Sequence, residues 1–183
     1  ASHGGLARLV LGSVPSSLIR AARCPVLVVN DRRPGPDNLT RVMATIDMSP
    51  ISRNVLHNAV VSATAMDGQV RVLSLFEPPI LRPDPEGWLP KYLSPDELEE
   101  VAAHRFGEVS ALIRRSVPRN AVPIEVEVQG RQPAPDGILQ QAKDWQADML
   151  VIGTSGHNAW HRMILGSTTH DVLLRAMCPV MVV

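Results

Sequence analysis

One short stretch of this chain is written twice. Leu11-Gly12-Ser13 recurs as Leu165-Gly166-Ser167. Ala22, Cys24-Pro25-Val26, Val28 and Val29 recur as Ala176, Cys178-Pro179-Val180, Val182 and Val183. Gly12 to Gly166 and Cys24 to Cys178 are both steps of 154 positions. Nine matches in order at one offset, without a gap, describe a supersecondary unit used twice rather than a chance likeness of apolar segments. The first copy, from about Gly4 to Val29, reads as the closing piece of a first domain whose front half is absent from residues 1–29. Residues 30–39, NDRRPGPDNL, are rich in Pro, Gly, Asp and Asn and read as a linker. Residues 40–183 then form a complete domain around the second copy.

Within 40–183 short apolar runs alternate with amphipathic stretches. Strands are expected at 42–46, 70–75, 122–128, 148–152 and 179–183. Helices are expected from Ser49-Pro50 to about Asp67-Gly68, from Ser94-Pro95 to about Ser116, over 136–146 and over 168–176. Ser49 and Ser94 are read as N-caps, each with Pro at the first helical position. The 49–67 helix carries Val55, Leu56, Ala59, Val60 and Ala63 at helical spacing. The Pro-rich stretch 77–95 is a long connection of a functional kind. The strand runs are rich in Val, Ile and Leu and do not alternate with polar residues, as suits strands buried on both faces. Alternating strands and helices imply parallel pairing with right-handed crossovers. The fold expected is therefore α/β: a doubly wound, Rossmann-like, five-stranded parallel sheet in the order 3-2-1-4-5.

Composition narrows the function classes. Hydrophobic residues make up 45% of the chain but aromatics only 3%, so the core must be aliphatic. Eighteen basic and eighteen acidic side chains balance. That gives no support to a nucleic-acid or anionic-membrane surface. Two cysteines, Cys24 and Cys178, make no disulfide framework and point to a reducing cytoplasm. They read as small apolar residues entering strands. No apolar run approaches the ~20 residues of a membrane helix, and no signal peptide is legible.

The strand order makes a positional prediction. Ligands of such sheets bind at the switch point, here the carboxyl ends of strands 1 and 4. Asp47 stands on one side and Gly153-Thr154-Ser155-Gly156 on the other. The glycines permit φ > 0 and close approach of backbone to a ligand. The next helix opens at Gly166-Ser167-Thr168-Thr169, whose amides, dipole and hydroxyls suit a phosphate. Leu75 ends strand 2, where it would hold a flat ring.

The spacing Gly153-x2-Gly156-x9-Gly166-Ser167 matches the ATP-binding motif of the universal stress protein family. Thr45-Ile46-Asp47-Met48-Ser49 is similar to that family's first strand, and Cys178-Pro179-Val180-Met181-Val182-Val183 to its last. The likeness covers about 40–183, with the tail repeat covering about 4–29. The resemblance implies the adenine-nucleotide-hydrolase-like superfamily and a site for ATP, or for ADP or AMP, with Mg2+ as the ion that would accompany a triphosphate. Thr45, Ile46, Asp47 and Leu75 would line the adenine and ribose. Ile152, Gly153, Thr154, Gly156 and His157 would form the loop around ribose and phosphates. Gly166, Ser167, Thr168 and Thr169 would take phosphate oxygens. His157-Asn158 stands where many ATP-binding relatives carry a basic residue, which keeps AMP and ADP open. The resemblance also implies self-association through the last strands. Val26-Leu27-Val28-Val29 should lie antiparallel to Val180-Met181-Val182-Val183, with Cys24 and Cys178 unbonded at opposite ends.

Plainer roles compete with these. Asp47 would equally cap the next helix or bond loop amides. Ser167 and Thr168 would serve as N-caps, and Gly153 and Gly156 as turn residues. His157 and His161 share a helical spacing, but no acid or Cys joins them as a metal set. His57 and His104 read as solvent-side helix residues. No Gly-Lys-Ser/Thr P-loop and no nucleophile elbow is present. Arg162 is the lone cation of the glycine loop. The chain thus reads as a stress-response sensor working by nucleotide-linked ordering of the 153–165 loop, not as a turnover enzyme. A nucleotide-free interaction module and a slow ATPase or autokinase are the alternatives.

Overall fold

A computed structural model of the chain describes residues 13–29, 39–76, 93–118, 121–130, 133–154 and 165–183. The elements are α1 (Ser13–Ala21), β1 (Val26–Val28), β2 (Arg41–Ile46), α2 (Ser52–Ala65), β3 (Gln69–Phe76), α3 (Pro95–Ser116), β4 (Ile124–Gly130), α4 (Ala134–Asp144), β5 (Met149–Ile152), α5 (Ser167–Arg175) and β6 (Val180–Val182). They build one six-stranded sheet in the order β1-β6-β5-β2-β3-β4. From β4 to β6 the five strands are parallel and follow the expected 3-2-1-4-5 order. To the five strands expected of the domain the sheet adds a sixth: β1 pairs antiparallel with β6, as expected of residues 26–29 against 180–183, so the sheet is mixed.

Alternation along the strands divides the core in two. Val42, Ala44, Val70, Val72 and Met149 face one way, onto Val55, Leu56, Ala59 and Ala63 of α2 and Val109 of α3. Met43, Leu73, Leu150, Val180 and Val182 face the other way, onto Ile138 and Ala142 of α4 and Val172 and Leu173 of α5. Every residue of β5 is buried, as a central strand covered on both faces requires. The scarcity of aromatics leaves this core to be filled by branched aliphatics. Each such side chain contributes roughly 1.5–3 kcal/mol when fully buried.

The ends of the elements show which local signals governed. α3 begins as its sequence dictates. Glu97 N–H donates to Ser94 Oγ (3.3 Å), Ser94 N–H donates to Glu97 Oε2 (2.7 Å), and Pro95 opens the helix. α2 begins later than expected, at Ser52, and Ser49 is not its cap. Ile51 is the N-cap, without a side-chain cap bond, and Asp47 braces the turn before it: its Oδ1 accepts from Ser49 N–H (3.0 Å) and from Ser52 Oγ (3.2 Å). The turn is closed by Met48 at φ 67, a left-handed conformation that is unusual for a residue with a Cβ. At the opposite end of the sheet, Asp148 Oδ2 accepts from Thr40 N–H (3.0 Å) and Arg41 N–H (2.9 Å). This carboxylate fixes where β2 starts beside β5, and so fixes how far their carboxyl ends project.

The antiparallel joint pairs Val26 with Val182, Leu27 with Met181 and Val28 with Val180. Leu27 and Met181 are the same position of the sequence repeat, 154 residues apart. A pseudo-two-fold axis therefore passes between them. Cys178 is 7% exposed and packs as expected, but Cys24 is exposed, because its copy of the unit is less covered. Neither thiol is in a disulfide. Among the described residues no helix is long and apolar enough to cross a membrane.

Candidate functional site

The switch point lies between β2 and β5, whose neighbours β3 and β6 run outward in opposite directions. Ala44 pairs with Val151, so Thr45 lies level with Ile152 at the carboxyl end. The Thr45 hydroxyl donates across this seam to the Val151 carbonyl (3.5 Å). Leu75 is half-buried on the α4–α5 face, against the same core as Ile152, itself only 5% exposed. Thr45, Leu75 and Ile152 are thus brought together. Ile46 is not among them: its side chain is buried in the opposite half of the core, against α2.

Four hydrogen bonds tie the end of β5 to its neighbours, two of them to Val183 and two to the α5 N-terminus. Thr154 N–H donates to the Val183 carbonyl (3.0 Å), and Val183 N–H to the Ile152 carbonyl (3.0 Å). Gly166 N–H donates to the Thr154 carbonyl (2.9 Å), which joins the two ends of the glycine loop at its neck. Thr169 Oγ1 donates to the Gly153 carbonyl (2.7 Å) from a position 3% exposed. The hydroxyl of Thr169 therefore braces the helix to β5. Ser167 is exposed and Thr168 half-buried at the same turn. Gly166 is the N-cap, and among the described residues no side chain caps this helix. The first-turn amides of any helix lack intrahelical acceptors, and together with the dipole they favour an anion. Gly156 and His157, with Arg162 and His161, lie outside the described residues.

The glycine reading needs revision at Gly153. No described glycine has positive φ. A Cβ at Gly153 would lie 2.8 Å from Ile51 Cγ2, so this glycine admits the side chain that leads into α2. Asp47 stands at the end of β2 as expected, and its carboxylate is engaged by Ser49 and Ser52. Ser52 and Ile51 were not among the expected site residues. Nothing in their sequence context marks either one, because both act through the approach of α2 to the strand ends. Two buried hydroxyls near these ends, Ser49 Oγ and Ser74 Oγ, have no hydrogen-bond partner among the described residues. Among the described residues no group of three His, Cys, Asp or Glu side chains is placed to hold a metal.

The model of the universal stress protein family matches residues 1–30 and 38–183. A universal stress protein of Mycolicibacterium smegmatis is 31% identical over 182 residues, covering 98% of this chain and 58% of the relative. The chain thus spans a little over half the length of that relative. The solved structure of UspA from Lactobacillus plantarum superposes with a TM-score of 0.64 at 23% identity, covering 81% of this chain and 99% of that one. A universal stress protein in complex with cAMP gives a TM-score of 0.55 at 19% identity, covering 80% of this chain and 98% of that one. The universal stress protein of Archaeoglobus fulgidus in complex with dAMP gives 0.53 at 21%, covering 79% and 96%. With the family model spanning nearly the whole sequence and the sheet superposing on solved members, this chain belongs to the universal stress protein family.

Proposed function

We propose that the chain binds an adenine nucleotide in the crevice between the carboxyl ends of β2 and β5, and acts as a nucleotide-responsive member of its family rather than as a turnover enzyme. The observation that carries this reading is the uncapped N-terminus of α5, held at the switch point by the Gly166–Thr154 and Thr169–Gly153 hydrogen bonds. An anion seated there needs no rearrangement of the scaffold. Relatives of the same fold with cAMP and dAMP bound support adenine as the base.

In this reading Ser167 and Thr168 add hydroxyl donors to the first-turn amides around a phosphate. Leu75 and Ile152 offer apolar contact to the flat base. Thr45 and the Asp47 backbone stand at the ribose side. Asp47 holds the α2 turn and so positions that wall. Gly156 and His157 enter as expected contacts of the loop. Mg2+ accompanying a triphosphate would be held mainly by phosphate oxygens and water, as this cation prefers. Residues 1–29 act as the closing unit of a second family domain, joined by 30–39 to the domain at 40–183. The separate family-model matches to 1–30 and 38–183 support that division.

Calorimetric titration with ATP, ADP and AMP tests the proposal. Saturable binding near one nucleotide per chain is expected. Absence of heat at millimolar concentration of all three overturns it and leaves an interaction module.

A further inference from the structure

Between α4 and the end of α5 lies a cavity of about 610 Å³. Ala147 and Cys178, just before β5 and β6, place it at the amino ends of those strands, the end of the sheet opposite the switch point. Every residue lining it falls between Asp136 and Cys178, within the domain at 40–183. Its size is that of small-molecule sites, roughly 300–1,000 Å³.

The cavity follows from residue size. Ala142, Ala147, Ala176 and Cys178 are buried around its floor together with Leu150. Four small side chains where two helices meet a strand leave unfilled the room that larger aliphatics would take. Leu139 is half-buried and adds an apolar wall. The polar lining residues, Asp136, Gln140, Lys143, Gln146 and Arg175, are all exposed, so the polar groups stand at the rim and the floor is apolar.

The rim carries more positive than negative charge. Asp136 and Lys143 share one face of α4, about 10 Å apart along its axis. Arg175 Nη2 donates to Asp136 Oδ1 (2.6 Å) and so links the end of α5 to α4 at the edge of the cavity. That bond uses one of the five donors of a guanidinium. The Lys143 ammonium has no partner among the described residues. Two cations with unused donors therefore face a single carboxylate above an apolar floor.

We propose that this cavity binds a small amphipathic anion, a carboxylate on an unbranched acyl chain. The chain lies over the Ala142–Ala176 floor and the carboxylate sits between Lys143 and Arg175. A partner helix would need a continuous apolar stripe opposite it, whereas the face of α4 toward the cavity carries Leu139 amid Asp136, Gln140 and Lys143. The site is at the far end of α5 from the proposed phosphate position, and it does not rest on nucleotide binding.

The test follows amide NMR shifts of the isotope-labelled 183-residue chain during titration with decanoate and, separately, with decyltrimethylammonium, a similar chain on a cationic head. Decanoate is expected to give saturable shifts at the amides of 139–147 and 176–178, with an affinity at least about tenfold above that of the cation. Lys143→Glu, a change at an exposed position, should weaken decanoate at least about tenfold and leave the melting temperature unchanged. No saturable shift at millimolar decanoate overturns the proposal. Equal affinity for the two head groups also overturns it, because burial of the chain alone would then account for binding. Shifts confined to the carboxyl ends of β2 and β5 overturn it as well, since the ligand would then occupy the crevice.

Discussion

At the residue scale, Gly68 and Gly153 act through packing against their own chain. A Cβ at Gly68 would lie 2.4 Å from the Thr40 carbonyl oxygen, a backbone atom that cannot move aside alone. The left-handed position of that turn belongs to its neighbour, Asp67, at φ 50. Gly68→Ala is therefore expected to destabilise the protein by about 3 kcal/mol or more. Asp67→Gly should be close to neutral, since glycine accepts that φ freely. Thermal melts of the two variants check this, and the reverse ranking would refute it. Gly153 poses the same question at the candidate site. Gly153→Ala should cost about 1–3 kcal/mol without any nucleotide present. Ile51→Ala should remove most of that increment, because the side chain 2.8 Å away is then gone. A double-mutant cycle with no coupling would mean the glycine is needed for something else. From sequence, Gly153 was read as a close approach of backbone to a ligand, and the structure shows the approach of Ile51. Glycine spacing marks a close approach but does not say whether the approaching group is a ligand or Ile51.

At the element scale, the strands and most helices were legible because their signals are local. The Ser94–Glu97 capping box and the uninterrupted apolar runs of β2 and β5 needed no tertiary information. The start of α2 was not legible, because Ser49-Pro50 resembles a cap, whereas the chain turns through a left-handed Met48 and the helix begins only at Ser52. That φ value arises from the path the chain must take from β2 to α2. The α5 N-terminus offers a test that separates helix capping from ligand binding. Ser167 is exposed at its first turn. A carboxylate there favours the helix dipole by about 0.3–1 kcal/mol. The same carboxylate repels a bound phosphate. Ser167→Glu is expected to hold or slightly raise the melting temperature while weakening nucleotide affinity at least tenfold, about 1.4 kcal/mol. Unchanged affinity in a folded variant would move the phosphate away from this helix.

At the scale of the whole molecule, the five-strand order followed from alternation and chirality, whereas the sixth strand followed from the repeat together with the family resemblance. Its depth in the sheet is unequal to that of the others. β2 and β5 are central and covered on both faces, while β1 has three residues, one neighbour and Leu27 45% exposed. Native-state hydrogen exchange should therefore find β2 and β5 amides opening only with global unfolding and β1 amides opening through a local, cheaper event. Uniform protection across the six strands would contradict that gradient. The candidate site was legible in outline for the same topological reason: a switch point is fixed by strand order. Its inner wall was not, because Ile46 and Leu75 differ by which face of the sheet their register turns them to.

The Leu27–Met181 centre of the β1–β6 joint has a kinetic meaning. A strand that pairs with its own equivalent in antiparallel register makes the same contacts whether the two copies share a chain or not. Covalent connection changes only how often they meet. Residues 29–40 join β1 to β2 of the same sheet, and a tether of that length sets an effective concentration in the millimolar range. A copy arriving from another molecule at micromolar concentration is outcompeted by about a thousandfold at such a joint. Duplication within one chain thus turns an assembly governed by protein abundance into one governed by tether length, with the contact surface left as it was.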